Sequence, residues 1–218
     1  ELKFRGYNAL LDGVINLEAK DKTSLTFLLE GEGLDVKTLM QDINISDKLL
    51  SGAMNMKVIF DNKQKEFLKG QCYIKDGAAN LGIIADIIAL PSLKNTDFEM
   101  MSTKFLLSKE IIRVNEIKLI SPDISLDAFW DTNSKIEGKL SLKIASQILN
   151  QSQTFKRLLA LTRIKKPYID FDFLLGGIPD TVRIMWMKGE FKDKIKQGLP
   201  AWVKRKIENS LDKMIDGQ

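Results

Sequence analysis

The 218-residue chain has no histidine and a single cysteine. Histidine is the usual general base near neutral pH and the commonest metal ligand, so its absence removes many reaction mechanisms at once. Zinc sites built from Cys and His go with it. Cys72 has no second cysteine to pair with, which excludes an internal disulfide, and no histidine to activate its thiol. Its strand-like surroundings suit a small buried hydrophobe instead. A long apolar run is also missing: the longest, residues 81–93, is broken by Asp86 and falls short of the ~20 residues that a membrane-spanning helix needs. The chain does not open on a signal-peptide pattern. Strong charge imbalance is lacking too. Lys and Arg number 33 against 29 Asp and Glu, a net +4 spread along the chain. This permits attraction to an anionic surface but does not form the basic stripe that nucleic acid requires, so no nucleic-acid partner is expected.

What is present is ordinary globular material, 44% hydrophobic and 28% charged, long enough to bury a core. Most of it has a period of two. Leu11, Gly13, Ile15 and Leu17 alternate with Asp12, Asn16 and Glu18. Leu25, Phe27 and Leu29 continue the pattern, which Leu28 breaks, and Met54, Met56, Val58 and Phe60 form another apolar face. Further alternating runs lie at residues 68–74, 98–107, 111–120, 124–130, 136–144, 168–175 and 182–187. Turn-forming pairs such as Asp61-Asn62, Asp76-Gly77, Pro122-Asp123 and Pro179-Asp180 separate many of them. Such alternation turns one face of each strand to apolar material and the other to water. About ten to twelve strands are expected. Residues 35–42 and 82–90 read as short helices, and 146–162 as a helix or a bent helical pair.

Four segments share a frame in which a glycine follows an apolar residue two positions on: LLDGVINLEA, LLSGAMNMKV, FLKGQCYIKD and KIEGKLSLKI. Glycine weakens a strand interior, so its recurrence points to a bend, a bulge or close packing at Gly13, Gly52, Gly70 and Gly138.

Candidate chemistry is thin. Asp170 and Asp172 share a strand face, as do Asp127 and Asp131, and the solvated side of an alternating strand accounts for both pairs. Gly31-Glu32-Gly33 and Gly176-Gly177 lack the rest of any phosphate-binding loop, and no serine nucleophile elbow occurs. Trp130 and Trp186 fall in strand patterns as core anchors. An enzyme is therefore not expected. Strands far outnumber the helical segments able to cover them, so either the sheet folds on itself or part of its apolar face lines a groove for acyl chains. At the far end, residues 201–215 form an amphipathic stripe in which Trp202 sits beside Lys204, Arg205 and Lys206. These four are the candidate membrane- or partner-facing residues. A helix capping the end of the sheet is the preferred reading of the same stripe.

The same Gly-containing strands resemble the C-terminal region of AsmA-like proteins, the bacterial envelope family that includes TamB. The likeness extends from Leu10 to about Leu149. LLDGVINLEA with SLTFLLEGEGLDVKTLM is similar to the family's Gly strand, second strand and short helix. LLSGAMNMKVIF with FLKGQCYIKDGAANLGIIADIIALPSL is similar to its paired strands followed by an apolar helix. FEMMSTKFLLSKEIIRVNEIKLISPDISLDAFWDTNSKIEGKLSLKI resembles its meander. The resemblance implies a periplasmic module, tethered to the inner membrane by a segment outside this chain, with a β-groove that handles phospholipid and no catalytic residues or cofactor.

The expectation is thus a mainly β module over residues 1–218: a long, curved antiparallel sheet, U-shaped in section, with short capping helices over residues 1–190 and an amphipathic helix over 191–218. Without an initiator Met, the chain reads as a piece of a longer protein. Ile15, Leu17, Phe27, Leu29, Met54, Met56, Val58, Leu140 and Leu142 are the expected ligand liners, inward by alternation. The expected partner is phospholipid or another acyl-chain ligand, with a membrane surface or envelope proteins beside it. The alternative function is a non-catalytic scaffold for outer-membrane biogenesis. With no histidine and no phosphate loop, neither zinc nor ATP should bind specifically. Calorimetric titration checks this, and stoichiometric binding at micromolar affinity would overturn it.

Overall fold

The computed structural model describes residues 2–6, 9–18, 24–42, 46, 48–88, 90–162, 165–178 and 181–186. The first strands are β1 (Leu2–Gly6), β2 (Ala9–Glu18), β3 (Ser24–Asp35), β4 (Ala53–Asp61) and β5 (Leu68–Ala79). They are followed by β6 (Thr96–Leu107), β7 (Ile112–Ile120), β8 (Ile124–Thr132), β9 (Ile136–Ala145), β10 (Tyr168–Ile178) and β11 (Thr181–Trp186). All eleven form one antiparallel sheet whose spatial order is the chain order, so each strand pairs only with its sequence neighbours. Among the described residues β1 and β11 do not pair with each other, and the sheet stays open rather than closing into a barrel.

Register explains why this sheet has one apolar face. Residues directly opposite in an antiparallel pair share a face. Leu34, Met54, Ile74, Met101, Leu119, Leu126, Leu142 and Phe171 stand opposite one another in turn from β3 to β10. Two residues further along the strands a second row contains Met56, Cys72, Ile117, Ala128, Leu140 and Phe173. Register shifts between Gly31 and Leu34, at Lys104/Phe105 and between Val114 and Ile117 keep apolar residues in these rows where strict alternation would lose them. Leu28 is the exception already visible in the sequence: it lies opposite Val14 and Ile59, on the other face.

Among the described residues, helices occur at one end only. In a meander, all connections leaving odd-numbered strands lie at the same end of the sheet. Those after β3, β5 and β9 carry α1 (Val36–Asp42), α2 (Gly82–Ile87) with a 3-10 turn (Pro91–Lys94), and the pair α3 (Ser146–Leu149) and α4 (Gln153–Thr162). The connections after β4, β6 and β8 are short turns without a helix. Asp35 starts α1, its carboxylate accepting from the Lys37 N–H and the Thr38 hydroxyl at 3.1 and 2.7 Å. Ile84, Ala85, Ile88, Leu93, Leu149, Phe155 and Leu159 from these segments join the first-row residues in a single buried cluster. Phe155 of α4 meets Phe171 edge-on, with ring centroids 6.0 Å apart.

Two sequence expectations are corrected. Gly52 does not sit within a strand but just before β4, with φ of 129°, a conformation that favours glycine. A side chain there would press on Ile74 and the Lys75 carbonyl. Asp76-Gly77 is not a turn: β5 runs through it to Ala79, with Asp76 taking φ of 47° and Gly77 opposite Phe98. The repeat frame does hold for Gly13, Gly70 and Gly138, which all fall inside strands. Gly70 is opposite Phe105 and Gly138 opposite Trp130. A Cβ on Gly70 would collide with the Phe105 ring, and one on Gly138 would come within 2.6 Å of Trp130 Cβ. Gly70 thus makes room for a cross-strand aromatic ring and Gly138 for the backbone and Cβ of Trp130, the close packing that their recurrence suggested.

Gly70→Ala should therefore cost about 1–3 kcal/mol of stability through overpacking, read as a lower urea midpoint. Combining it with Phe105→Ala should cost less than the sum of the two single changes, because the ring that the new methyl strikes is gone. An additive double variant would show that the Gly–Phe contact is not the cause.

Candidate apolar binding face

The helices divide the apolar face into two halves. At the helical end it is fully covered: Leu34, Ile74, Leu119, Leu126, Leu142 and Phe171 are all buried. Towards the turn end the rows continue as Leu29, Val58, Phe105, Val114, Trp130, Leu175 and Ile184, mostly half-buried. The last row contains Ile15, Phe27, Phe60, Leu68, Leu107 and Ile112. Here Ile15 and Ile112 are 51% and 48% exposed, and Leu17, one step further out, is 67% exposed. Phe27 and Phe60 stack face to face at 4.9 Å, and Phe67 packs edge-on against Phe60 at 5.9 Å. The face is apolar over its whole length and covered over about half of it.

Set against known protein families, characterised proteins and solved structures, the chain matches none of them.

All nine expected liners lie on this face, but they divide. Ile15, Leu17 and Phe27 sit at the uncovered end, and Leu29 and Met56 are half-buried between the halves. Met54, Val58, Leu140 and Leu142 are buried, with Leu142 only 1% exposed, so these four are core packing and not surface open to a ligand. The alternation that placed them inward is silent about which end the helices cover. Ile112 and Leu107 belong to the open end too and were not singled out from the sequence. The signal that finds them is the pairing register, not the pattern of any one strand. Trp130 is half-buried opposite Gly138, while Trp202, Lys204, Arg205, Lys206 and the whole 191–218 segment lie outside the described residues.

The opposite face is polar and paired across strands. Lys57 lies opposite Glu30, Lys104 opposite Glu116 and Arg113 opposite Asp131, with contacts of 2.6, 3.2 and 2.8 Å. Hydrogen bonds from Lys118 and Lys104 hold the Glu116 carboxyl below its ordinary range. Asp170 faces Lys143 and Asp172 accepts from the Ser141 hydroxyl at 2.6 Å, so both are members of this solvated face. Asp127 is opposite Lys118 and Asp131 is bound to Arg113, which places them there too. Among the described residues no group of three or more Cys, Asp or Glu is placed to hold a metal ion. No helix among them is long and apolar enough to cross a membrane. Apolar residues interrupt this polarity in places, among them a strip in which Val14, Leu28 and Ile59 lie side by side on β2, β3 and β4, with Val14 and Ile59 exposed.

Cys72 lies on the apolar face, opposite Met56 and Thr103, and burial pushes its thiol above the usual range. Its thiolate fraction is correspondingly small at neutral pH. Alkylation by iodoacetamide at pH 8 should run about tenfold slower than for a free thiol and recover in urea. Equal rates in folded and unfolded protein would show that the face around Cys72 is open to water.

Proposed function

We propose that this chain binds the acyl chains of lipid on the uncovered half of its apolar face, as a phospholipid-handling module. The observation that carries the reading is the mismatch between apolar rows that run along the whole face and described helices that cover one end of it alone. Exposed Ile15, Leu17 and Ile112, beside the Phe27–Phe60 stack, make a contiguous strip that water solvates poorly. Acyl chains need no directional partner, which suits the apolar row of Ile15, Phe27, Phe60, Leu68, Leu107 and Ile112. The likeness of the Gly-containing strands to AsmA-like proteins supports a bacterial envelope setting. In that setting the module faces the periplasm, held to the inner membrane by a segment outside this chain, and passes phospholipid between the two membranes. Burial of chains is its action, and no bond is made or broken.

A second reading, a scaffold that holds envelope proteins together, is favoured by one observation. The Val14–Leu28–Ile59 strip lies on the far side of the sheet from the groove and suits protein contact.

The two readings separate on substitution. Ile112→Asn and Phe27→Asn should lower uptake of the neutral fluorophore N-phenyl-1-naphthylamine several-fold, with little change in urea midpoint for the half-exposed Ile112. Leu142→Ala, in the covered half, should instead cost about 2–5 kcal/mol of stability. Unchanged uptake in well-folded Ile112→Asn and Phe27→Asn proteins would sink the lipid reading and leave the scaffold.

A further inference from the structure

The polar face of the sheet is not flat. Two hollows of about 430 and 230 Å³ lie on it between β3 and β7, and they meet at Lys57 and Gln71, which line both. All the residues that line them belong to the described part of the chain. A β-bulge stands at each end of the groove they form. At one end the register shifts between Gly31 and Leu34 of β3, and Glu32 lines the hollow there. At the other, Asn115 has no residue opposite it: Lys104 pairs with Glu116, Phe105 with Val114, and Ile117 with Ala128. A bulge bends its strand and re-aims a side chain, and this one brings Asn115 to the same hollow as Gln71 and Lys104.

Charge in the groove is balanced. Its lining holds Lys57, Lys69 and Lys104 against Glu30, Glu32 and Glu66. Lys57 meets Glu30 at 2.6 Å, Lys69 meets Glu66 at 3.1 Å, and Lys104 meets Glu116 at 3.2 Å. Such a lining sets up no net potential to attract an ion of either sign. It does set hydrogen-bond donors and acceptors side by side. The side-chain amides of Gln71 and Asn115 each carry both, and no hydrogen bond within the chain occupies either. Asn55 accepts from the Gly33 N–H at 2.9 Å through Oδ1, which fixes its amide and leaves the NH₂ to donate. Apolar surface adjoins these groups. Ile59 and Leu106 line the larger hollow, and Tyr73, 40% exposed, lines the smaller.

We infer that this groove binds a neutral saccharide chain. A sugar hydroxyl donates and accepts at once, which suits amides and ion pairs that present both functions to the same space. The C–H faces of a sugar ring are apolar and pack on the Tyr73 ring and the Ile59 side chain, while its rim of hydroxyls reaches Gln71 and Asn115. Without net charge in the lining, an uncharged ligand has no competitor with a Coulombic advantage. The site lies on the opposite face of the sheet from the proposed acyl-chain strip, and it does not rest on that reading.

The test uses the full 218-residue chain with its Q71A/N115A and Y73A variants. Cellotetraose, maltotetraose and chitotetraose are titrated by calorimetry and by saturation-transfer-difference NMR at low and high salt. The wild type should bind at least one of the three, with an affinity that salt leaves unchanged because the ligand carries no charge to screen. Q71A/N115A should weaken that binding about tenfold, the loss expected for two hydrogen-bonding amides, without moving the urea midpoint. Y73A should weaken it several-fold. N-phenyl-1-naphthylamine uptake, a property of the other face, should be the same in all three proteins, so failure of the lipid reading and failure of this one are told apart. Binding of none of the three saccharides overturns the inference, as does binding that Q71A/N115A leaves intact. Binding that high salt abolishes, or that inorganic phosphate displaces, also overturns it and assigns the groove to a charged ligand.

Discussion

Like stands opposite like across ten successive strand pairings, and everything else in the molecule hangs on that register. Because side chains alternate faces with a period of two, a slip of one residue in any pairing would send the apolar set of the next strand to the polar face. Both faces guard against it. On one, the row from Leu34 to Phe171 is filled without a break, and on the other Lys57, Lys104 and Arg113 each meet an acid directly across. The charged pairs are exposed and add little stability. Their value is that a slipped register would set like charges or apolar groups against them.

Parity then decides where the core is. A meander sends alternate connections to opposite ends, and in this chain only those leaving odd-numbered strands are long enough to carry helices. Four short helices and one 3-10 turn cover the rows nearest their own end and reach no further. The other end keeps its apolar rows, and among the described residues only turns lie there to cover them. The aromatic stack of Phe27 and Phe60 reduces the exposed area there without removing it. A half-covered face is therefore a direct result of which connections are long, and it separates a stable half from one that is open to a ligand.

Much of this was legible in the residues, and the limits have physical causes. Alternation identified the strands and the mainly β architecture, and its loss over 146–162 pointed to a helix or a bent helical pair, which the structure resolves as α3 and α4. The recurring glycine pointed to close packing, and Gly70 under Phe105 and Gly138 beside Trp130 are that packing. Gly52 was misplaced because its motif is shared by a residue that initiates a strand through positive φ. Asp76-Gly77 has the composition of a turn, yet the pairing with β6 on its flank outweighs that local preference. Leu142 and Leu17 carry the same alternation signal while one is sealed and the other open, since coverage depends on chain parity and not on either residue's neighbours.

A sheet in which each strand touches only its neighbours in sequence has no long-range threading to preserve. Each pairing joins sequence neighbours, over connections that are short apart from the helix-bearing ones after β3, β5 and β9, so the sheet can zip from any starting point, with modest closure cost at each step. The same property makes the architecture extensible. Adding or deleting a hairpin changes the length of the apolar face by two strand widths, roughly 10 Å, and leaves every other pairing as it was. Evolution can therefore lengthen or shorten such a surface to fit a distance, much as a chain is fitted by adding links, without redesigning what lies on either side.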